Sequence, residues 1–470
     1  MNAIYFIGAG GIGMSALERY FKASGYVVGG YDRTPSPLTD ALIREGIDLH
    51  FSDDVSLIAP AFLDPAQCIV CYTPAVPADH SELRYFREHG FQVMKRSQLL
   101  GQVTRQSRGI CVAGTHGKTT TSSMIAHLLK QSHIDCSAFL GGILKPYDSN
   151  LMLSTSSPYV VIEADEFDRS FHTLSPYMAV ITSCDPDHLD IYGTEEAYRE
   201  AFAHFTELIP PVPGSYLLKH RGVRVECRHD AGVDYGEYDV ITDPAAESEP
   251  LPRFYATRVR IADGTIRFDF VADQGSVVIP DIELGVPAPI NVLNATAALA
   301  IGYLLGCTPD ELRRGIASFQ GARRRFDFHI KRPDLVVVDD YAHHPDEVSA
   351  SLASLRQLFP GRHITLCFQP HLFSRTRDLA PGFAAALAIP DRTILLPIYP
   401  AREQPIPGIT SEWLLDQIDS SDKALCAIDQ LVPHLEQLRR EGQLDVVVMM
   451  GAGVDIERLV APAAQALAQL

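Results

Sequence analysis

Short runs of β-branched and aliphatic residues recur along this chain, and a turn and an amphipathic helical stretch follow most of them. AIYFIGAGG runs into GMSALERYFKASG, a helix that Gly25 ends, and YVVGGYD and QCIVCY follow as a second and a third strand. RGICVAGTHGKTTTSSMIAHLLKQ repeats the unit, and PYVVIEADE and YMAVITSCDPDH add two strands with polar ends. LVVVDD, HITLCF, RTILLP and DVVVMM form a third set. A strand buried on both faces reads as a continuous apolar run, and strand–helix alternation predicts parallel sheets covered by helices. At 470 residues the chain exceeds one ordinary core. The reading is three consecutive α/β domains: a Rossmann-like one over 1–106, a P-loop ATPase-like one over 107–321 and a Rossmann-like one over 322–470. Between Pro210 and Pro289 the pattern turns polar and β-like, with turns at ADGT and ADQG, before the helix INVLNATAALAIGYLLG.

Composition removes several function classes. No apolar run approaches the ~20 residues that span a bilayer, and MNAIYFIGAGG enters a strand without a basic leader, so a cytoplasmic protein is expected. A formal net charge of −18 argues against nucleic-acid and anionic-membrane binding. The nine cysteines are an odd, scattered set and do not read as a disulfide framework. Cys68 and Cys71 form a CxxC, but they sit inside an apolar strand with no second pair, which favours core packing over a metal or redox site.

The strongest chemical signal is Gly114-Thr115-His116-Gly117-Lys118-Thr119-Thr120 between a strand and a helix. A glycine loop there aims backbone N–H groups at phosphate oxygens, and the helix dipole favours their charge. Lys118 is expected on the β- and γ-phosphates of ATP and the Thr119 hydroxyl on Mg²⁺. The strict P-loop pattern has a glycine where Val112 stands. Gly8, Gly10 and Gly13 form a second glycine loop, with Asp32 closing the next strand. That spacing suits NAD or FAD, and it suits the diphosphate of a UDP-sugar equally.

Acidic strand ends complete the phosphate region. In EADE, Glu163 and Asp165 alternate with Ala164 and Glu166, which makes Glu163 a candidate Mg²⁺ ligand. His188 in DPDHLD is a candidate nitrogen ligand to a second cation, with a plain surface-loop histidine as the alternative. Arg323, Arg324 and Arg325 lie at the second domain joint, either as a phosphate-facing cluster or as a basic linker. In the third segment DDYAHHP and FQPHLFSRTRD place Tyr341, His343, His371, Arg375 and Arg377 at successive strand ends. An arginine for a carboxylate and a histidine to take an amine proton suit an amino acid.

Taken together, GAGGIGMS, GTHGKTTT, EADE with DRSF, DPDHLD, NVLNA, GARRRF, DDYAHHP, FQPHLFSRT, AREQPIPG and GAGVDI resemble the Mur ligases of peptidoglycan synthesis, in the same order and along essentially the whole chain. The resemblance implies an ATP-dependent ligase that activates a carboxylate as an acyl phosphate and joins it to an amine. It implies UDP-N-acetylmuramate, L-alanine and ATP as substrates, Mg²⁺ as cofactor, and a monomer or weak homodimer. By motif, Gly10, Gly11, Gly13, Met14, Ser15, Asp32 and Thr73 fall on the UDP-sugar. Gly114 to Thr120, Asn291, Asn294 and Arg325 fall on ATP, and Thr119, Glu163 and His188 on the metals. Tyr341, His343 and Arg375 fall on the amino acid, with Lys118, Glu163, His188, His343 and Arg375 nearest the chemistry.

In the family these motifs resemble, several sister ligases carry a carbamylated lysine a short way after the DH motif. Here no lysine stands between Leu189 and Leu218, as in the alanine-adding members. A tripeptide-recycling ligase is the nearest rival, an oxidoreductase on the first glycine loop a distant one, and a non-catalytic nucleotide-binding regulator a third. Ile290 replaces a histidine, Ser183 an asparagine, and Val454 is one residue more than the family pattern.

Overall fold

The computed structural model describes residues 2–470 apart from Ala78, His188, Asp263 and Arg402, and gives only the backbone of Leu189 and Asp190. Three sheets follow one another in chain order, as the strand–helix alternation requires. By contacts the chain forms two compact units: residues 1–258, 268–282 and 293–320, and residues 259–267, 283–292 and 321–470.

The first sheet holds Ala3–Ile7 (β1), Val27–Tyr31 (β2), Asp48–His50 (β3), Cys68–Tyr72 (β4) and Gln92–Lys95 (β5), in the order β3-β2-β1-β4-β5. All its pairings are parallel. The short β3 has no apolar run to announce it, so QCIVCY is the fourth strand and not the third. The helix Ile12–Ala23 returns from β1 to β2 and ends as expected at Gly25, whose φ is +87°. There the N–H of Tyr26 reaches back to Phe21 O at 3.0 Å, satisfying a terminal carbonyl. Ile4, Phe6 and Cys71 pack on one face of this sheet, and Tyr5, Ile7, Cys68 and Val70 on the other. The CxxC therefore points to opposite faces, both thiols fully buried, and cannot close on one metal.

The second sheet comprises Arg108–Ala113 (β6), Ser137–Leu144 (β7), Ser149–Met152 (β8), Tyr159–Glu163 (β9), Pro176–Ile181 (β10), Tyr216–His220 (β11), Asp234–Val240 (β12), Phe254–Ala262 (β13), Thr265–Ala272 (β14) and Val277–Glu283 (β15). Its order is β15-β14-β13-β12-β11-β10-β6-β9-β7-β8. The central β6 is buried from Gly109 onward, between parallel β10 and β9. The helix Lys118–Lys130 that leaves it is buried from Thr121 to Leu129.

The third sheet holds Asp327–Arg332 (β16), Leu335–Asp340 (β17), Ile364–Phe368 (β18), Arg392–Leu395 (β19), Lys423–Leu425 (β20) and Val446–Met450 (β21). The order is β16-β17-β21-β18-β19-β20, with β16 antiparallel at one edge. The four strands legible in the sequence are its buried centre, and the two unannounced ones, β16 and β20, are its edges. Edge strands alternate or stay half-exposed, so they carry a weaker apolar signal.

Candidate active site

Open parallel sheets bind ligands beyond their carboxyl ends, where the strand order reverses. In the first sheet that point lies between β1 and β4, and the two strands deliver Gly8 and Thr73 to it side by side. Thr73 N–H donates to Ile7 O at 3.2 Å. A β-carbon on Gly8, at φ +88°, would come within 2.4 Å of the Thr73 methyl, so only glycine allows this approach. Asp32, from the end of β2, accepts the Gly10 N–H at 2.6 Å and the Thr34 N–H at 3.0 Å. Its carboxylate thus shapes the glycine loop. Gly11 caps the helix and is exposed, whereas Met14 and Ser15 lie buried. Ser15 Oγ donates to Ile12 O at 2.9 Å and contacts the buried Asn150 of β8 at 3.2 Å.

In the second sheet β6 runs into the loop of Gly114 to Thr120, and its neighbours supply the walls. Gly114 takes φ +148°, and a β-carbon there would sit 2.1 Å from Thr182 Oγ1. Thr182 and Ser183 continue β10 and hold the loop: Thr182 Oγ1 donates to His116 O at 2.5 Å, and His116 N–H donates to Ser183 Oγ at 2.7 Å. Thr115 Oγ1 donates to Asp185 O at 2.6 Å and lies 2.8 Å from the Tyr198 hydroxyl. Gly117, at φ +82°, caps the helix, and Asn294 accepts a hydrogen bond from Thr121 Oγ1 at 3.1 Å. A β-carbon on Gly117 would meet Asn294 Oδ1 at 2.9 Å, so that asparagine packs against the loop. Thr119 and Thr120 are half-buried in the first turn, where backbone N–H groups have no intrahelical acceptor.

Lys118 Nζ donates to Gly114 O at 2.5 Å and to Glu166 Oε1 at 2.8 Å, and it lies 2.7 Å from Glu166 Oε2. Glu166 is 2% exposed, and burial pushes its carboxyl up while Lys118 pulls it down. Sequence reasoning singled out Glu163 and passed over Glu166. The strand ends at Glu163, so the two-residue alternation stops there, and the backbone turns Glu166 onto the lysine. Glu163 stands at the end of β9, in register with Val112 of β6, and accepts the Gly141 N–H at 3.1 Å. Asp165 instead faces Arg96 at 3.2 Å. Thr119 and Glu163 are hard oxygen donors of the kind Mg²⁺ takes, with phosphate and water oxygens filling the other positions. His188 lies outside the described residues, and among those described no group of three acidic, histidine or cysteine side chains forms a metal cluster by itself.

The second unit has its own polar cluster at the ends of β17 and β18. His343 Nδ1 lies 3.0 Å from Tyr341 O. A carbonyl only accepts, so Nδ1 carries the proton and Nε2 keeps the lone pair. Burial and the Arg375 charge hold the His343 imidazole below its ordinary range, and the same two causes with His343 bring His371 down to about 4. The rings of His343 and His371 stand 5.9 Å apart, and His371 stacks on Tyr399. His371 Nδ1 and Arg375 Nη1 are buried with no hydrogen-bond partner among the described residues. Arg325 lies 5.4 Å over the Tyr341 ring. Arg324 is structural, donating to Gly451 O at 2.5 Å and pairing with Glu457 at 3.1 Å. Asn291 is buried, and its Nδ2 donates to Val286 O at 3.2 Å. Ile290 beside it is 57% exposed.

Residues 3–108 match the model of the Mur ligase family catalytic domain, 112–302 that of the Mur ligase middle domain, and 324–453 that of the Mur ligase glutamate ligase domain. A protein of Parabacteroides distasonis named UDP-N-acetylmuramate–L-alanine ligase is 56% identical over 467 residues, covering 99% of this chain and 97% of its own. One of Porphyromonas gingivalis strain W83 with the same name is 52% identical over 470 residues, covering all of both chains. Among solved structures, the UDP-N-acetylmuramate–alanine ligase of Thermotoga maritima has a TM-score of 0.79 at 24% identity, covering 98% of this chain and 99% of its own. The murein peptide ligase of Psychrobacter arcticus has a TM-score of 0.66 at 23% identity, covering 99% of each, and these two likenesses speak to the fold. With three family models in sequence across the chain and full-length relatives above half identity, the chain belongs to the Mur ligase family.

Proposed function

We propose that this enzyme joins L-alanine to the lactyl carboxylate of UDP-N-acetylmuramate at the expense of ATP, in peptidoglycan precursor synthesis. The observation that carries the reading is Lys118, held on a glycine loop at the end of β6 and paired with Glu166, with Glu163 ending the neighbouring strand β9, in a chain whose full-length relatives bear that activity in their names. We assign residues 1–106 to the sugar nucleotide, 107–321 to ATP and 322–470 to the amino acid. On this reading the protein works in the cytoplasm, as a monomer or weak homodimer.

The lactyl carboxylate attacks the γ-phosphorus and ADP leaves, giving an acyl phosphate. The loop amides and Lys118 hold the phosphates in line and balance charge as the phosphoryl group transfers. Thr119 and Glu163, with His188, would hold Mg²⁺, which supplies electrostatic stabilisation at the phosphoryl oxygens. Arg325, Asn291 and Asn294 serve the nucleotide. Arg375 takes the carboxylate of L-alanine, and Tyr341 orders the pocket through its carbonyl. The amine attacks the acyl carbon, His343 Nε2 takes the amine proton, and the tetrahedral intermediate expels inorganic phosphate.

Phosphate release from ATP should require UDP-N-acetylmuramate and L-alanine together. Release that ignores L-alanine but needs a preformed tripeptide would transfer the chain to the murein-recycling reaction. Saturable NADH binding without any ligation would overturn the ligase reading.

A further inference from the structure

Arg96 opens the helix Arg96–Arg105 directly after β5. Its guanidinium hangs over the first turn of the helix Ile12–Ala23: a β-carbon on Gly13 would lie 2.6 Å from Arg96 Nη1. That turn is the positive end of a helix dipole, which attracts anions and repels cations. A guanidinium parked there is therefore in a like-charge arrangement. Its counter-ion is Asp165, reached by a single nitrogen at 3.2 Å, with the two side chains 23% and 39% exposed. One monodentate, half-solvated contact uses little of a fork built for two parallel hydrogen bonds. Asp165 has a second tie of its own, accepting the Phe167 N–H at 3.1 Å. Lys95 repeats the pattern beside it, pairing with Asp168 at 2.6 Å. In a chain of net charge −18, a guanidinium held over the first turn that follows a glycine loop marks a place prepared for negative charge.

We propose that Arg96 is a ligand of the sugar nucleotide's diphosphate, exchanging Asp165 for two phosphate oxygens when the substrate seats on the loop of Gly10, Gly11 and Gly13. The proposal rests on the reading of the first domain as the UDP-sugar domain. It gives the diphosphate a charge-matched side chain where the loop offers only amides. It also links substrate arrival to the segment from Glu163 to Asp168, because Asp165 is released in the exchange.

The test compares UDP with uridine by calorimetry on the full chain, using wild type, Arg96→Ala, Arg96→Lys and Asp165→Asn. Arg96→Ala should weaken UDP about 10- to 100-fold and leave uridine unchanged, since a charge-assisted bidentate contact is lost and the base contacts are not. Arg96→Lys should recover part of the loss. Asp165→Asn should bind UDP at least as tightly as wild type, because the competing carboxylate is gone. Equal UDP binding by wild type and Arg96→Ala, or a loss in Asp165→Asn as large as in Arg96→Ala, would make Arg96 a strap to Asp165 and overturn the proposal alone. A wild type that binds no UDP would overturn the sugar-nucleotide reading as well. A merely structural arginine would lower the melting temperature without changing the ratio of UDP to uridine affinity.

Discussion

Replacing Glu166 by alanine removes the counter-ion of Lys118 and leaves the ammonium among buried groups. At 2.7 Å and an effective dielectric of about 20, the pair attracts by about 6 kcal/mol. Desolvating two ions offsets most of that, so the intact pair contributes little net stability. Deleting one partner is different, because the remaining charge keeps its desolvation cost, and such deletions run to about 3–5 kcal/mol. Lys118 retains the carbonyls of Gly114 and Thr115 and is 14% exposed, which puts Glu166→Ala at the low end, about 3 kcal/mol. In urea, with a slope of about 3 kcal/mol/M, the midpoint of the transition that unfolds the central sheet should fall by about 1 M. The proposed role adds a second expectation. ATP offers phosphate oxygens to the same ammonium, so saturating Mg²⁺–ATP should shrink the gap between variant and wild type. A loss below about 1 kcal/mol would refute the buried-charge argument. A gap that nucleotide leaves untouched would refute the assignment of Lys118 to phosphate.

Gly114→Ala should cost several kcal/mol and abolish ATP binding, because the new methyl meets Thr182 Oγ1 at 2.1 Å in a left-handed backbone; nucleotide titration and melting curves check both. The folded state resists protonating His371, whose imidazole is brought down to about 4, while the unfolded chain takes that proton near 6.5. The unfolded state binds more protons in that window, so stability is complete above it and falls as pH drops from 6.5 toward 4, by up to about 3 kcal/mol. His371→Asn should flatten that part of the pH–stability curve, and an unchanged slope would refute the reading. Burial pushes the Cys68 thiol up to about 12, and Cys71 is likewise fully buried. A thiol reagent at pH 8 should therefore modify the half-buried Cys227 and Cys426 first, and early labelling of Cys68 or Cys71 would contradict the strand assignment.

The phosphate loop was legible because its demands are local. A glycine loop between an apolar strand and a helix is a contiguous pattern, and the backbone angles of Gly114 and Gly117 are those that only glycine takes freely. The same holds for Gly8, and for the buried central strands, whose apolar runs needed no partner to be read. The bases that orient the site were less visible. His343 was marked by its motif, but its tautomer follows from the Tyr341 carbonyl, which folding brings to Nδ1.

What the amino-acid order determined by itself was the set of strand–loop–helix units, the presence of a phosphate-binding loop and the family to which the motifs belong, since each is written in neighbours along the chain. Tertiary structure alone decided the partner of Lys118, the hold of Thr182 and Ser183 on the loop, the opposite facing of Cys68 and Cys71, and the meeting of Gly13, Arg96 and Asp165. Those contacts join residues far apart in sequence. They depend on strand order and on where each strand stops, which periodicity does not encode.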